Sequence, residues 1–113
     1  MDSSQINWWD FQKIDMRVGT VLEAAYLEEA KDHAIKMVID FGEEGKLKSS
    51  AKITDKYLPA DLVGTQVIAV INFPPKQIAN MMSECLVLGA VESDGEVVLL
   101  RPDFEVENGT RIG

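Results

Sequence analysis

Ile35-Lys36-Met37-Val38-Ile39-Asp40-Phe41-Gly42 is the stretch that decides the fold class. Ile35, Met37, Ile39 and Phe41 alternate with Lys36, Val38 and Asp40, and a period of two puts the first set on one face of a strand. Gly42 stops the run. Beyond it, Lys46 to Ala51 is placed to return as a hairpin partner across the Gly42–Gly45 turn. Upstream, Met16, Val18, Thr20 and Leu22 alternate with Arg17, Gly19, Val21 and Glu23, which gives a second strand with the first set on one face. Downstream, Val67 to Ile71 is continuously apolar and β-branched, the pattern of a strand buried on both faces. Leu86-Val87-Leu88 and Val97 to Leu100 follow, joined through the turn Ser93-Asp94-Gly95. Phe104 and Val106 precede a last turn at Asn108-Gly109, and Ile112 closes the tail.

Two places depart from strand. One helical turn is expected near Asp10, in the segment holding Trp8, Trp9 and Phe11. A second short helix is expected within Ile53 to Val63, where Pro59 suits a first helical turn and Asp61 favours its positive end. The sum is six or seven strands with a short helical insertion and no βαβ repeat. A small antiparallel barrel fits best, because closure removes exposed edges. Periodicity leaves an oligonucleotide/oligosaccharide-binding (OB) barrel, an SH3-like barrel and a small sandwich equally open.

The 113 residues hold no linker or repeat, so residues 1–113 read as one domain. Cys85 is the only cysteine, Met1 to Gln5 is polar, and no apolar run approaches the roughly 20 residues of a membrane span. A cytoplasmic protein without membrane insertion is the expectation. The net charge of -8 disfavours a generic nucleic-acid binder, which needs Lys and Arg for phosphates. The charge is uneven, however. Residues 46–76 carry Lys46, Lys48, Lys52, Lys56 and Lys76 against Asp55 and Asp61 alone, a basic island in an acidic chain.

Catalytic constellations are missing from the sequence. His33 is the only histidine and lies in a charged segment with no cysteine spaced to pair with it. Cys85 and His33 together are too few soft ligands for a zinc site. Neither a phosphate-cradling glycine loop nor a dinucleotide fingerprint is present. The expectation is a binding protein, not an enzyme, with no cofactor and no metal.

Several stretches taken together resemble the tRNA-binding domain family, in particular its stand-alone CsaA type. They are residues 11–19 (FQKIDMRVG), 38–42 (VIDFG), 48–53 (KSSAKI), 70–78 (VINFPPKQI), 83–89 (SECLVLG) and 97–102 (VVLLRP). The resemblance implies an all-β OB-fold antiparallel barrel, with N- and C-terminal extensions that make a homodimer. It implies tRNA as partner, gripped by shape more than by sequence. For the CsaA type it also implies unfolded or pre-secretory polypeptide. Two departures from the family pattern stand out. Residues 28–33 contain no proline, and Ala79-Asn80-Met81-Met82 replaces a loop that often carries glycine and a basic residue.

The candidate ligand contacts follow. Asn72, Pro74, Lys76 and Gln77 belong to the stiff signature loop; Lys48, Ser49, Ser50 and Lys52 belong to the basic stretch; Met82 and Ser83 follow the loop. Trp8, Trp9, Phe11, Phe104 and Val106 are the candidates for the dimer interface.

Overall fold

The computed structural model describes residues 4–27 and 33–113. The proline-free segment 28–32 lies outside the described residues, as do the first three of the polar start. The elements in order are α1 (Trp8–Gln12), β1 (Met16–Tyr26), β2 (Ile35–Asp40), β3 (Lys46–Ala51), α2 (Pro59–Leu62), β4 (Gln66–Val70), β5 (Lys76–Ile78), β6 (Met81–Ser83), β7 (Leu86–Val87), β8 (Gly89–Val91) and β9 (Val97–Leu99).

Five of these form one antiparallel sheet in the order β3-β2-β1-β4-β7. The sheet curls until its ends nearly meet. The Glu84 backbone N–H, just before β7, donates to Lys48 O at 2.7 Å, and the buried Ser49 hydroxyl donates to Cys85 O at 2.8 Å. The result is the OB-like barrel, and its core is what the alternation in β2 requires. Ile35, Met37, Ile39 and Phe41 are all buried, with Val21, Ile53, Leu62, Val67 and Ala69.

In β1 the alternation needs correction at one residue. Met16, Val18 and Thr20 share a face, but the register shifts between Val21 and Glu23, and Leu22 in that bulge is exposed. The face holding Val18 is, moreover, the outside of the barrel. There Met16 sits opposite Val70 and Val18 opposite Ile68. The C-terminal tail pairs along the edge of β1 here: Gly109 N–H donates to Val18 O at 2.8 Å, Val18 N–H to Thr110 O at 3.0 Å, and Ile112 N–H to Met16 O at 2.8 Å. Gln66 holds the same tail by acting as a strand edge, accepting from Val106 N–H at 3.1 Å and donating to Val106 O at 2.6 Å.

Both helical turns form. The first begins at Trp8, ahead of Asp10, because Asn7 caps it and Asp10 returns a bond to the Asn7 N–H at 3.1 Å. The second has Pro59 in its first turn. Residues 76–83, read in the sequence as loop, instead form the β5–β6 hairpin.

Candidate functional site

The outer face of β1–β2–β3 is built by register. Ala25, Lys36 and Ser50 lie side by side across the three strands, and Glu23, Val38 and Lys48 form the next row. Residues opposite one another on paired strands share a face, so both lysines project outward beside a small apolar strip. A groove of about 380 Å³ lies here, lined by Glu23, Ala24, Ala25, Lys36, Val38, Lys48 and Met81 among others. Lys36 was not among the sequence candidates. The signal was nonetheless present: the alternation that buries Ile35 and Met37 turns Lys36 to the surface.

The β5–β6 hairpin forms one wall. Its pairs are Lys76 with Ser83, Gln77 with Met82 and Ile78 with Met81. Met81 lines the groove, so the period of two puts Lys76 and Ser83 on the groove side and Gln77 and Met82 on the other. The groove therefore takes Met81 and not Met82. Gln77 turns back to donate to Ala79 O at 3.3 Å. The hairpin's base is fixed beside Lys48, whose backbone N–H donates to the Glu84 carboxylate at 3.0 Å. Lys76 is exposed on the same hairpin face as Met81, two residues from Ile78, while Lys36 and Lys48 line the groove itself.

Other candidates fall elsewhere. Asn72 clasps the link between α1 and β1, accepting from Asp15 N–H at 3.0 Å and donating to Lys13 O at 2.7 Å. Its amide orients the signature loop, with Pro74 and Pro75 exposed beyond it. Ser49 is only 1% exposed and belongs to the barrel seam, out of reach of a surface ligand. Lys56 leaves the basic stretch for the β8–β9 hairpin, pairing with Glu96 at 3.0 Å and Glu92 at 3.3 Å. Lys52 is exposed just past β3.

Cys85 is buried at the seam, and burial pushes its thiol up to about 11. The thiolate is the nucleophile, so Cys85 is expected to resist iodoacetamide at pH 8 in the folded protein and to react once urea unfolds it. Mass spectrometry of the alkylated chain checks this. The same shift sets a stability window. The folded thiol keeps its proton between its ordinary 9.0 and about 11 while the unfolded one loses it. Stability should fall across that interval by on the order of 2 kcal/mol.

A second surface is apolar. Trp8, Trp9 and Phe104 are exposed, Trp9 at 72% and Phe104 at 79%, while Phe11 and Val106 are half-buried. The Trp8 and Phe11 rings sit 5.5 Å apart. Arg111 ties the tail to this helix, donating to Gln12 O at 2.8 Å. Further apolar side chains are exposed on β7, on β9 and just after it. Leu86 lies opposite Val70, and Val98 opposite Ala90, with Leu86, Val98 and Leu100 all exposed.

Residues 16–111 match a family model described as "Putative tRNA binding domain". The fold is similar to the crystal structure of chaperone CsaA from Bacillus anthracis, with a TM-score of 0.93 and 51% identity over 97% of this chain and 100% of that one. It is also similar to the CsaA chaperone protein from Picrophilus torridus, with a TM-score of 0.89 and 49% identity over 96% of this chain and 100% of that one. Among curated sequences, a methionine–tRNA ligase of Archaeoglobus fulgidus is 40% identical over 108 residues, 96% of this chain. The chain spans only 16% of that ligase's length.

Proposed function

This chain belongs to the tRNA-binding domain family, and on that premise we propose that it is a non-catalytic, homodimeric tRNA-binding protein that recognises RNA by shape. The observation that carries the reading is the groove on β1–β3. Lys36 and Lys48 flank it from adjacent strands, and Lys76 stands on the groove side of its hairpin wall. Cations on a rigid sheet contact phosphates without reading sequence. An apolar strip of Ala25 and Val38 between them accepts sugar edges with no hydrogen-bond demand.

The homodimer part of the reading is supported by exposed apolar side chains. Trp8, Trp9, Phe104, Leu86, Val98 and Leu100 are all exposed, more large apolar side chains than a lone small barrel needs at its surface. A two-fold copy of the chain docked through them would pair like surface with like. The family-level alternative, an unfolded or pre-secretory polypeptide, is favoured by one feature: Met81 gives the groove an adaptable apolar wall.

Titrating tRNA and a permanently unfolded polypeptide against the protein at low salt tests the assignment. Wild type should bind tRNA, and Lys36→Ala with Lys48→Ala should weaken it at least ten-fold. Binding of the polypeptide alone, sensitive to Met81→Ala and indifferent to the lysines, would replace this function with the second one.

A further inference from the structure

An acidic side chain, Glu23, stands in the lining of the lysine-flanked groove, and phosphate contacts give it no part. It belongs to the row Glu23–Val38–Lys48, one residue from each of β1, β2 and β3, so the three side chains share the outer face. Neighbouring strands lie about 4.8 Å apart, which separates Glu23 from Lys48 by about 10 Å with Val38 between them. Lys36 stands on the diagonal to both, about 7–8 Å from each. All three charged residues are exposed, and among the described residues none of their side chains makes an ion pair or a hydrogen bond. The Glu23 carboxylate is therefore available to a ligand.

A carboxylate beside phosphate contacts is unfavourable unless it meets a donor. Charges of like sign repel, and an ionised carboxylate accepts hydrogen bonds but donates none. An RNA strand carries a donor that a DNA strand lacks, the ribose 2′-hydroxyl. The row is ordered to take it. A phosphate held by Lys36 and Lys48 would put the attached ribose over Val38 and its hydroxyl within reach of Glu23. We propose that Glu23 accepts a hydrogen bond from a ribose 2′-hydroxyl and is the residue that makes the groove select RNA over DNA. On DNA the same carboxylate faces the backbone with no donor, so one side chain supplies both the attraction and the penalty. This rests on the tRNA-binding reading and deepens it, from holding a phosphate backbone to choosing the sugar.

The test titrates a synthetic tRNA, and its counterpart with fluorine in place of every 2′-hydroxyl, at low salt against wild type, Glu23→Gln and Glu23→Ala. Fluorine keeps the ribose pucker and removes the donor. Any effect of fluorination on the RNA's own shape acts on the three proteins alike, so the comparison between them isolates Glu23. Fluorination should weaken binding to wild type about ten-fold more than binding to Glu23→Ala, the scale of one hydrogen bond to a charged acceptor. Glu23→Gln, whose amide oxygen still accepts but carries no charge, should fall between them. The fluorinated tRNA should also bind Glu23→Ala more tightly than wild type, because the like charge is gone; a merely structural role for Glu23 would not strengthen binding. An equal fluorination penalty in wild type and Glu23→Ala, with the unmodified tRNA still bound and still weakened by Lys36→Ala, overturns the proposal and leaves the groove standing. Negligible affinity of wild type for the unmodified tRNA rejects the tRNA-binding reading and the proposal with it.

Discussion

Gly109→Ala is expected to cost about 3 kcal/mol of stability and to free the C-terminal tail from the barrel. Two separate terms add there. Gly109 has φ +93°, a conformation that a side chain makes strained, and an added Cβ would lie 2.6 Å from Phe41 O. The neighbour is backbone and cannot rotate away. Gly109 also supplies two of the tail's anchors, donating to Val18 O at 2.8 Å and accepting from the Arg17 guanidinium at 3.0 Å. Losing the tail would strip its backbone pairing from the β1 edge at Met16 and Val18. Gly45→Ala is the control: its φ is also +93°, but nothing lies within 4 Å of the added atom. It should cost only about 1 kcal/mol, the conformational term alone. Urea denaturation of the three proteins measures the gap. Equal costs at the two glycines would mean that the close approach at Phe41 O is relaxed without penalty.

The other large effect is expected at the apolar patch. Trp9→Ala combined with Phe104→Ala should weaken the proposed homodimer by two to three orders of magnitude. Large aromatic residues at the centre of an interface typically contribute about 2–4 kcal/mol each, and their losses add only partly. Because both rings are exposed within the chain, the barrel's own stability should change by less than about 1 kcal/mol. Sedimentation equilibrium gives the dissociation constant, and thermal unfolding of the diluted monomer gives the control. A monomeric wild type at micromolar concentration would remove the dimer. A double variant that dimerises normally would move the interface elsewhere.

The core strands were legible because each buries one face and therefore alternates. Ile35, Met37, Ile39 and Phe41 show this, and so does the glycine-bounded turn that follows them. Leu22 was misplaced because a bulge inserts one residue without leaving a mark in the pattern. The tail's pairing with Val18 was equally hidden, since the partners lie just over ninety positions later in the chain. The β5–β6 hairpin was missed because its turn uses Ala79, at φ 52°, where glycine or asparagine would have announced it.

At the site, a basic stretch was visible but its faces were not. Ser49 and Lys48 are adjacent, yet one closes the barrel and the other lines the groove. Met81 and Met82 differ in the same way. Lys56 looked equivalent to Lys48 until Glu92 and Glu96, some forty residues on, approached it. Asn72 was legible as a structured position in a stiff loop. Its partners, the backbone of Lys13 and Asp15, were not, because they come from the other end of the chain.

The most direct measurement is the salt dependence of tRNA affinity, taken for wild type and for the Lys36→Ala, Lys48→Ala double variant. If the groove holds the RNA backbone, counterion release must accompany binding, and about three to six phosphates per dimer give a log–log slope of about -2 to -5. The double variant removes up to four phosphate contacts per dimer and should flatten that slope by up to about 3 while weakening every tRNA alike. A steep slope that the double variant leaves unchanged would place the RNA on another surface, and negligible tRNA affinity at low salt would contradict the function itself.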